Sequence, residues 1–232
     1  MELNRRIENT VNRLVNITAG YLPSAFASSL GAEDMVLLDL IARQAPRVEV
    51  FTLDTGRLPE ETYELLERVR DKYAIPIRIY FPERDAVEAW VAVNGINAFY
   101  RSVAQRKQCC GIRKVEPLGR ALAGKRSWLT GLRREQSPSR HQLQECEWDE
   151  VHCLWKFNPL LDWSTVEVWH YLKEHDVPYN ALHDRGYPSI GCAPCTRSVA
   201  PGEDLRSGRW WWEESAKECG LHLREVGSGG TA

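Results

Sequence analysis

The chain has 232 residues, 43% of them hydrophobic and 27% charged, with a formal net charge of −2. That length supports one large domain with its own core, and the near balance of charge argues against a general nucleic-acid binder, which carries a strong basic excess. No apolar run reaches the roughly 18–20 residues of a bilayer span, and the stretch from Met1 to Glu8 lacks a signal-peptide apolar core. The expectation is therefore a cytoplasmic protein that does not contact membranes, whose seven cysteines stay reduced and serve metal ligation or thiol chemistry.

Leu3, Ile7, Val11 and Leu14 recur at helical spacing and predict an amphipathic first helix within residues 1–20, with a face for packing that would suit a second copy of the chain. From Tyr21 the pattern changes. Ala25–Ser29 reads as a short buried strand, and a helix follows from Glu33 to Ile41 with acidic residues in its first turn. Val48–Leu53 is a second strand, leading through Asp54-Thr55-Gly56 into a helix that opens at Pro59 and runs to about Tyr73. Ile77–Phe81 is a third strand, followed by helices near Asp85–Val93 and Lys114–Leu122 and a strand at Ser127–Thr130. Strands alternating with helices imply βαβ units and a mainly parallel sheet flanked by helices, with ligand-binding loops at the strand carboxyl ends. Beyond Gly131 come an arginine-rich loop through Arg140, a hairpin between Cys146 and Trp155, and a helix opened by the capping box Ser164-Thr165-Val166-Glu167. The chain divides into an N-terminal helix (1–20), an α/β domain (21–213) and a C-terminal tail (214–232). The tail is expected to be mobile.

Four constellations carry chemistry. Ser28, Ser29 and Gly31 sit at the first strand-to-helix junction, where hydroxyls and helix-start N–H groups bind phosphate-like oxygens; capping alone also accounts for them, and no Walker A ending is present. Asp54, Thr55 and Gly56 end the second strand, suited to a ribose or base edge or simply to an Asp-Thr-Gly turn. Cys109-Cys110 and Cys192-x-x-Cys195 supply four thiolates for zinc or an iron–sulfur cluster. Adjacent ligands need a turn or a helix start at Cys109, and the adjacency favours a cluster modestly. Lys114, one helical turn beyond Cys110, would offset the thiolate charge. Arg206 and Arg209 would share a face if their segment is helical. With Arg133, Arg134 and Arg140 they suggest a polyanion pocket, to be partly covered by Trp210-Trp211-Trp212. Cys146 and Cys153 read as plain strand residues, and His141, His152, His170, His175 and His183 show no metal-ligand spacing. Cys219, in Glu218-Cys219-Gly220-Leu221-His222, is a thiol in a polar, glycine-containing segment, suited to be reactive or an idle tail thiol.

Taken together, Ser-Ser-Leu-Gly-Ala-Glu-Asp at Ser28, Leu-Asp-Thr-Gly-Arg-Leu at Leu53, Lys107-Gln108-Cys109-Cys110-x3-Lys114, Gly191-Cys192-x2-Cys195, Arg206-x2-Arg209-Trp-Trp-Trp and Glu218–His222 resemble the assimilatory adenylyl-sulfate (APS) reductases, with an adenine nucleotide α-hydrolase-like fold. The resemblance runs from about Ser24 to His222. It implies that Cys219 attacks the sulfur of APS, that thioredoxin releases sulfite, and that Cys109, Cys110, Cys192 and Cys195 hold a [4Fe-4S] cluster. It places Lys114 between cluster and substrate, and Arg206, Arg209 and His222 at the phosphosulfate, with Arg140 carried over from the arginine loop. Phosphoadenylyl-sulfate (PAPS) reductases share the loops and the Glu-Cys-Gly-Leu-His tail but typically lack the two cysteine pairs. PAPS reduction is one alternative. An ATP pyrophosphatase-type adenylylating enzyme is a second, and a zinc-stabilised adenylate-binding module a third.

Overall fold

The computed structural model describes residues 2–137 and 140–213. Six strands form one sheet in the order β3-β2-β1-β4-β6-β5. They are β1 Ser24–Ala27, β2 Glu49–Leu53, β3 Ile77–Tyr80, β4 Ser127–Leu129, β5 Cys146–Asp149 and β6 Leu154–Phe157. Every neighbouring pair is parallel except β5 with β6, which form the antiparallel hairpin at one edge. The chain builds outward from β1 through β2 to β3, then returns to lay β4 on the other side of β1. That reversal is a topological switch point, which opens a crevice at the strand carboxyl ends.

Strand alternation assigns the two faces. Phe26, Val50 and Leu129 point into the larger core, with α1 (Glu2–Gly20), α2 (Ala32–Gln44), α3 (Glu60–Lys72) and α7 (Thr165–Glu174). Their neighbours Ala25, Phe51 and Trp128 point the other way, onto Leu118, Ala121 and Leu122 of α6 (Glu116–Leu122). The result is helix, sheet and helix layers.

In α1 the buried stripe is Leu3, Thr10, Leu14 and Ile17, with Ile7 and Val11 only partly covered. This face packs on the chain's own core, and Trp163 Nε1 donates to Thr10 Oγ1 at 3.0 Å. The capping box at Ser164 forms as expected: Glu167 N donates to Ser164 Oγ at 3.1 Å, and Ser164 N donates to Glu167 Oε2 at 2.6 Å. Cys153 departs from its expected strand setting. It is exposed, in the hairpin turn at φ 53°, because the β5–β6 connection needs a left-handed residue to reverse direction. Cys146 does lie in β5.

The cysteine pair also sits differently from the expectation of a turn or helix start. Cys109 and Cys110 end α5 (Val103–Cys110), after α4 (Arg84–Asn94) and a short 3-10 turn. A π-turn, Gly111–Val115, then joins α5 to α6. The helix expected near Lys114–Leu122 is thus the last part of a longer helical run with one widened turn in it. Such turns are frequent at functional sites.

Candidate active site

Strand β1 ends at Ala27, so Ser28 and Ser29 lie in the loop beyond it rather than in the strand. Leu30 takes a left-handed conformation, φ 59°, while buried, and its N–H donates to Ser28 Oγ at 3.2 Å. A non-glycine residue in this region costs on the order of 1–2 kcal/mol and marks a loop whose shape is imposed by its surroundings. The chief constraint is Asp34, in the first turn of α2. Its Oδ2 accepts from Ser29 N at 2.6 Å and from Ser29 Oγ at 2.7 Å. Gly131, just past β4, closes on the same carboxylate so tightly that a Cβ there would lie 2.1 Å from Asp34 Oδ1. Burial pushes the Asp34 carboxyl up to about 6 against the pull of the Ser29 bonds. Its neighbour Glu33 goes the other way: burial would raise it, but the Arg133 guanidinium, at 2.6 Å, outweighs burial and holds it below the usual carboxylate range.

The crevice at the switch point is a cleft of about 800 Å³. It gathers Ser28, Ser29 and Gly31 from the β1 loop and Thr55 from the β2 loop. Lys114 enters from the π-turn, and Arg140, Arg206 and Arg209 come from later loops. Two expected site residues, Asp54 and Gly56, are not in its wall. Asp54 Oδ1 instead accepts from Gly56 N at 2.7 Å and from Tyr63 OH at 3.0 Å, so it shapes the turn that presents Thr55. Thr130, Gly131 and Leu132 also line the cleft. They follow directly from the parallel-sheet reading, since β4 borders the switch point.

Arg206 and Arg209 do not share a helix face. Their segment is a run of tight turns, with Ser207 N donating to Asp204 O and Arg209 N donating to Arg206 O, each at 2.9 Å. The end of the segment pairs with another stretch of chain instead of continuing a helix: Arg197 N donates to Gly208 O at 2.9 Å and Thr196 forms a β-bridge with Arg209, and a Cβ at Gly208 would sit 2.4 Å from the Arg197 carbonyl oxygen. Arg209 is buried, and its Nη1 donates to Ile190 O at 3.2 Å and Ser189 Oγ at 3.4 Å. The guanidinium also lies over the Trp210 ring, 4.7 Å from its centroid. Of the three tryptophans, Trp210 is buried, Trp211 is 40% exposed and Trp212 packs edge-on against Tyr100.

The cysteine pairs lie directly behind this wall. Cys109, Cys110, Cys192 and Cys195 are in no disulfide, and each is partly buried. Thr55 Oγ1 is 3.2 Å from Cys192 Sγ. Burial would raise the Cys192 thiol, but Lys114, Thr55, Arg209 and Arg113 together hold it below its usual range. Cys195 is pushed up to about 12, first by burial and then by the Cys192 and Cys110 thiolates. Burial likewise raises Cys109, with Arg113 opposing. Cys109 and Cys195 are each disfavoured as thiolates by a neighbouring cysteine, so a bound cation would help this donor set to ionise together. Among the described residues, no three His, Cys, Asp or Glu side chains are arranged to hold one metal ion. A lone zinc would require all four sulfurs at about 2.3 Å from a single centre. Cys219 and His222 lie outside the described residues.

A parallel sheet with a hydroxyl- and cation-lined cleft at its switch point defines an α/β protein of the adenine nucleotide α-hydrolase-like class. The chain belongs to the phosphoadenosine phosphosulfate reductase family, whose domain model matches residues 23–198. Adenosine 5'-phosphosulfate reductase of Allochromatium vinosum is 57% identical over 86% of this chain and 78% of its own length. The enzyme of that name from Burkholderia cepacia is 52% identical over 97% and 90%. Among solved structures, a PAPS reductase from Candida auris, a phosphate complex, superposes with a TM-score of 0.70 at 28% identity, covering 82% of this chain and 90% of that one. An FMN adenylyltransferase from Candida glabrata, with TM-score 0.61 at 16% identity over 91% and 73%, shares the fold.

Proposed function

We propose that this chain is an oxidoreductase that reduces adenylyl sulfate to sulfite and AMP in assimilatory sulfate reduction, with Cys219 as nucleophile and thioredoxin as electron donor. The observation that supports it most is a shared wall: Lys114 and Arg209 line the anion cleft and also act on Cys192 of the four-cysteine set. Curated relatives of 45–57% identity, all named for APS reduction, point to the same substrate.

In this reading the Ser28–Gly31 loop and Thr55 receive the nucleotide. Lys114, Arg140, Arg206 and Arg209 bind the phosphosulfate. The Cys219 thiolate attacks the sulfate sulfur, forming an S–S bond as the S–O bond to AMP breaks, and the bonding electrons leave on the AMP phosphate. Arg209 and Lys114 stabilise that leaving charge from a largely desolvated position, while His222 orients or protonates oxygen atoms at the same centre. One thiolate of thioredoxin then attacks the Cys219 sulfur and expels sulfite. Its second thiol resolves the mixed disulfide, so the two electrons come from the dithiol. A [4Fe-4S] cluster held by Cys109, Cys110, Cys192 and Cys195 would supply a fixed negative centre that orders Lys114 and the cysteine loops. The adjacency of Cys109 and Cys110 favours a cluster modestly over a single zinc. Free thiols are kept in a reducing cytoplasm, and no described helix is long and apolar enough to cross a membrane.

The test is to add APS without thioredoxin and look for a sulfite adduct on the protein by mass. Wild-type protein forms it and Cys219→Ser does not; an adduct on the serine variant sinks the nucleophile assignment. Cys192→Ser loses iron and acid-labile sulfide, and a colourless, zinc-loaded wild-type protein would remove the cluster. Rates with APS and PAPS measured side by side decide the substrate, with APS expected to be faster.

A further inference from the structure

We propose that Gln136, held between Glu33 and Arg140, is a positioning residue that fixes the Arg140 guanidinium in the cleft wall without cancelling its charge. The proposal rests on the reading of Arg140 as a ligand of the phosphosulfate. The loop after β4 carries three arginines, and the fold uses them differently. Arg133 is committed to the scaffold. Its Nη1 donates to Trp163 O and to Glu135 Oε2, each at 3.0 Å. Its Nη2 donates to Glu33 Oε1 at 2.6 Å and to Thr165 Oγ1 at 3.3 Å, and the side chain is only 3% exposed. Arg134 pairs with Asp162 and donates to Leu143 O at 3.2 Å. Arg140 is buried in the cleft wall, and its Nη1 donates to Gln136 Oε1, a neutral acceptor.

Both ends of the Gln136 amide are engaged. Oε1 accepts from Arg133 N at 3.1 Å as well as from Arg140. The other end donates to the Glu33 carboxylate, which burial would raise but which Arg133 first, and then Gln136, helps to hold ionised. Glu33 lies in the first turn of α2 and Thr165 opens α7. Through Glu33 and Arg133 the amide is therefore registered against two core helices, and Arg140 inherits that register. The choice of an amide matters. A carboxylate at position 136 would bond a guanidinium more strongly but neutralise it, as Glu33 does for Arg133. An amide oxygen aims the group and leaves its field directed at a bound anion. A guanidinium already fixed also loses less side-chain freedom when the anion arrives.

The experiment measures equilibrium affinity for APS on the full-length, cluster-loaded protein in a Cys219→Ser background, with iron content and melting temperature alongside. Gln136→Ala is expected to weaken APS binding about tenfold, with iron content unchanged. Arg140→Ala is expected to weaken it at least as much. In the Arg140→Ala background, Gln136→Ala should cost less than about twofold further, because one group carries both effects. Gln136→Glu keeps an acceptor and the side-chain length, yet is expected to bind APS at least as weakly as Gln136→Ala. Wild-type affinity in Gln136→Ala or Gln136→Glu overturns the proposal. So does full additivity with Arg140→Ala, which would make Gln136 a direct ligand. A parallel loss of iron and melting temperature overturns it too, since the contact would then serve the fold alone. If Gln136→Ala does not fold, Gln136→Met, of similar length but without the acceptor, takes its place under the same criteria. Wild-type affinity in Arg140→Ala would instead remove Arg140 from the anion site, and failure of the Cys219→Ser protein to bind APS would sink the reading of the cleft; either takes this proposal with it.

Discussion

Replacing Gly191 by alanine tests the cleft wall most directly. A Cβ at that position would lie 2.2 Å from Arg209 Nη2 and 2.5 Å from Cζ. Ordinary contact between such atoms begins near 3.4–3.5 Å, so the guanidinium must move by about 1 Å. It has little room to do so, because Arg209 is buried, stacked on Trp210 and bonded to Ser189 and Ile190. Overpacking of this kind costs about 1–3 kcal/mol of stability. A misplacement of about 1 Å in a group that steadies transition-state charge costs on the order of 10² in rate. Gly191→Ala should therefore retain iron, melt a few degrees lower, and lose about two orders of magnitude in kcat/KM for APS with thioredoxin. In an Arg209→Ala background the same change should cost almost nothing further, since the two act through one group. Wild-type kcat/KM in Gly191→Ala, or full additivity with Arg209→Ala, would refute the placement of Arg209 at the reacting phosphosulfate.

The remaining predictions concern other parts of the fold. The Asp34 carboxyl, raised from 3.8 to about 6, binds more proton in the folded than in the unfolded chain between those values. Its contribution to stability therefore falls as pH rises through that window, by up to about 3 kcal/mol; carboxyl NMR should show a midpoint near pH 6, and a midpoint near 4 would contradict the burial argument. Ser164→Ala removes the acceptor for Glu167 N and should cost about 1 kcal/mol by denaturant unfolding with activity intact. Lys114→Ala should keep near-normal iron while lowering kcat/KM about 100-fold or more; unchanged kcat/KM would remove Lys114 from the reaction.

Much of the architecture is legible because it depends on short-range pattern. Alternating strands and helices give the parallel sheet, Ser164 and Glu167 mark a helix start, and the β1 and β2 loops carry residues whose types announce an anion site. Features that escape the sequence depend on distant contacts or on a period other than 3.6. The π-turn at Gly111–Val115 has no residue signature; it is seen only once α5 and α6 pack on different partners. Asp54 reads equally well as a ligand or a turn former, and only the Tyr63 hydroxyl and Gly56 N–H decide for the turn. The left-handed Leu30 and the closeness of Gly131 to Asp34 arise from strands that meet across about a hundred residues. Arg106 looks like a surface charge until Glu213, 107 positions away, is placed beside it.

The widened turn has a consequence for how this helical run tolerates change. A π-turn accommodates an extra residue without adding a full step of rotation, so it offsets the angular phase of the downstream helix by about 100°. Upstream of it lies the Cys109-Cys110 pair; downstream, Leu118, Ala121 and Leu122 are seated on the sheet. Deleting one residue between Gly111 and Val115 would restore a regular α-helix with both halves in their present phase, whereas winding the same residues as regular α-helix would swing the thiols about 100° away from Cys192 and Cys195. A one-residue deletion inside this turn should therefore be tolerated better than a deletion elsewhere in the helical run, which would turn the cysteine pair about 100° relative to the sheet-packed residues.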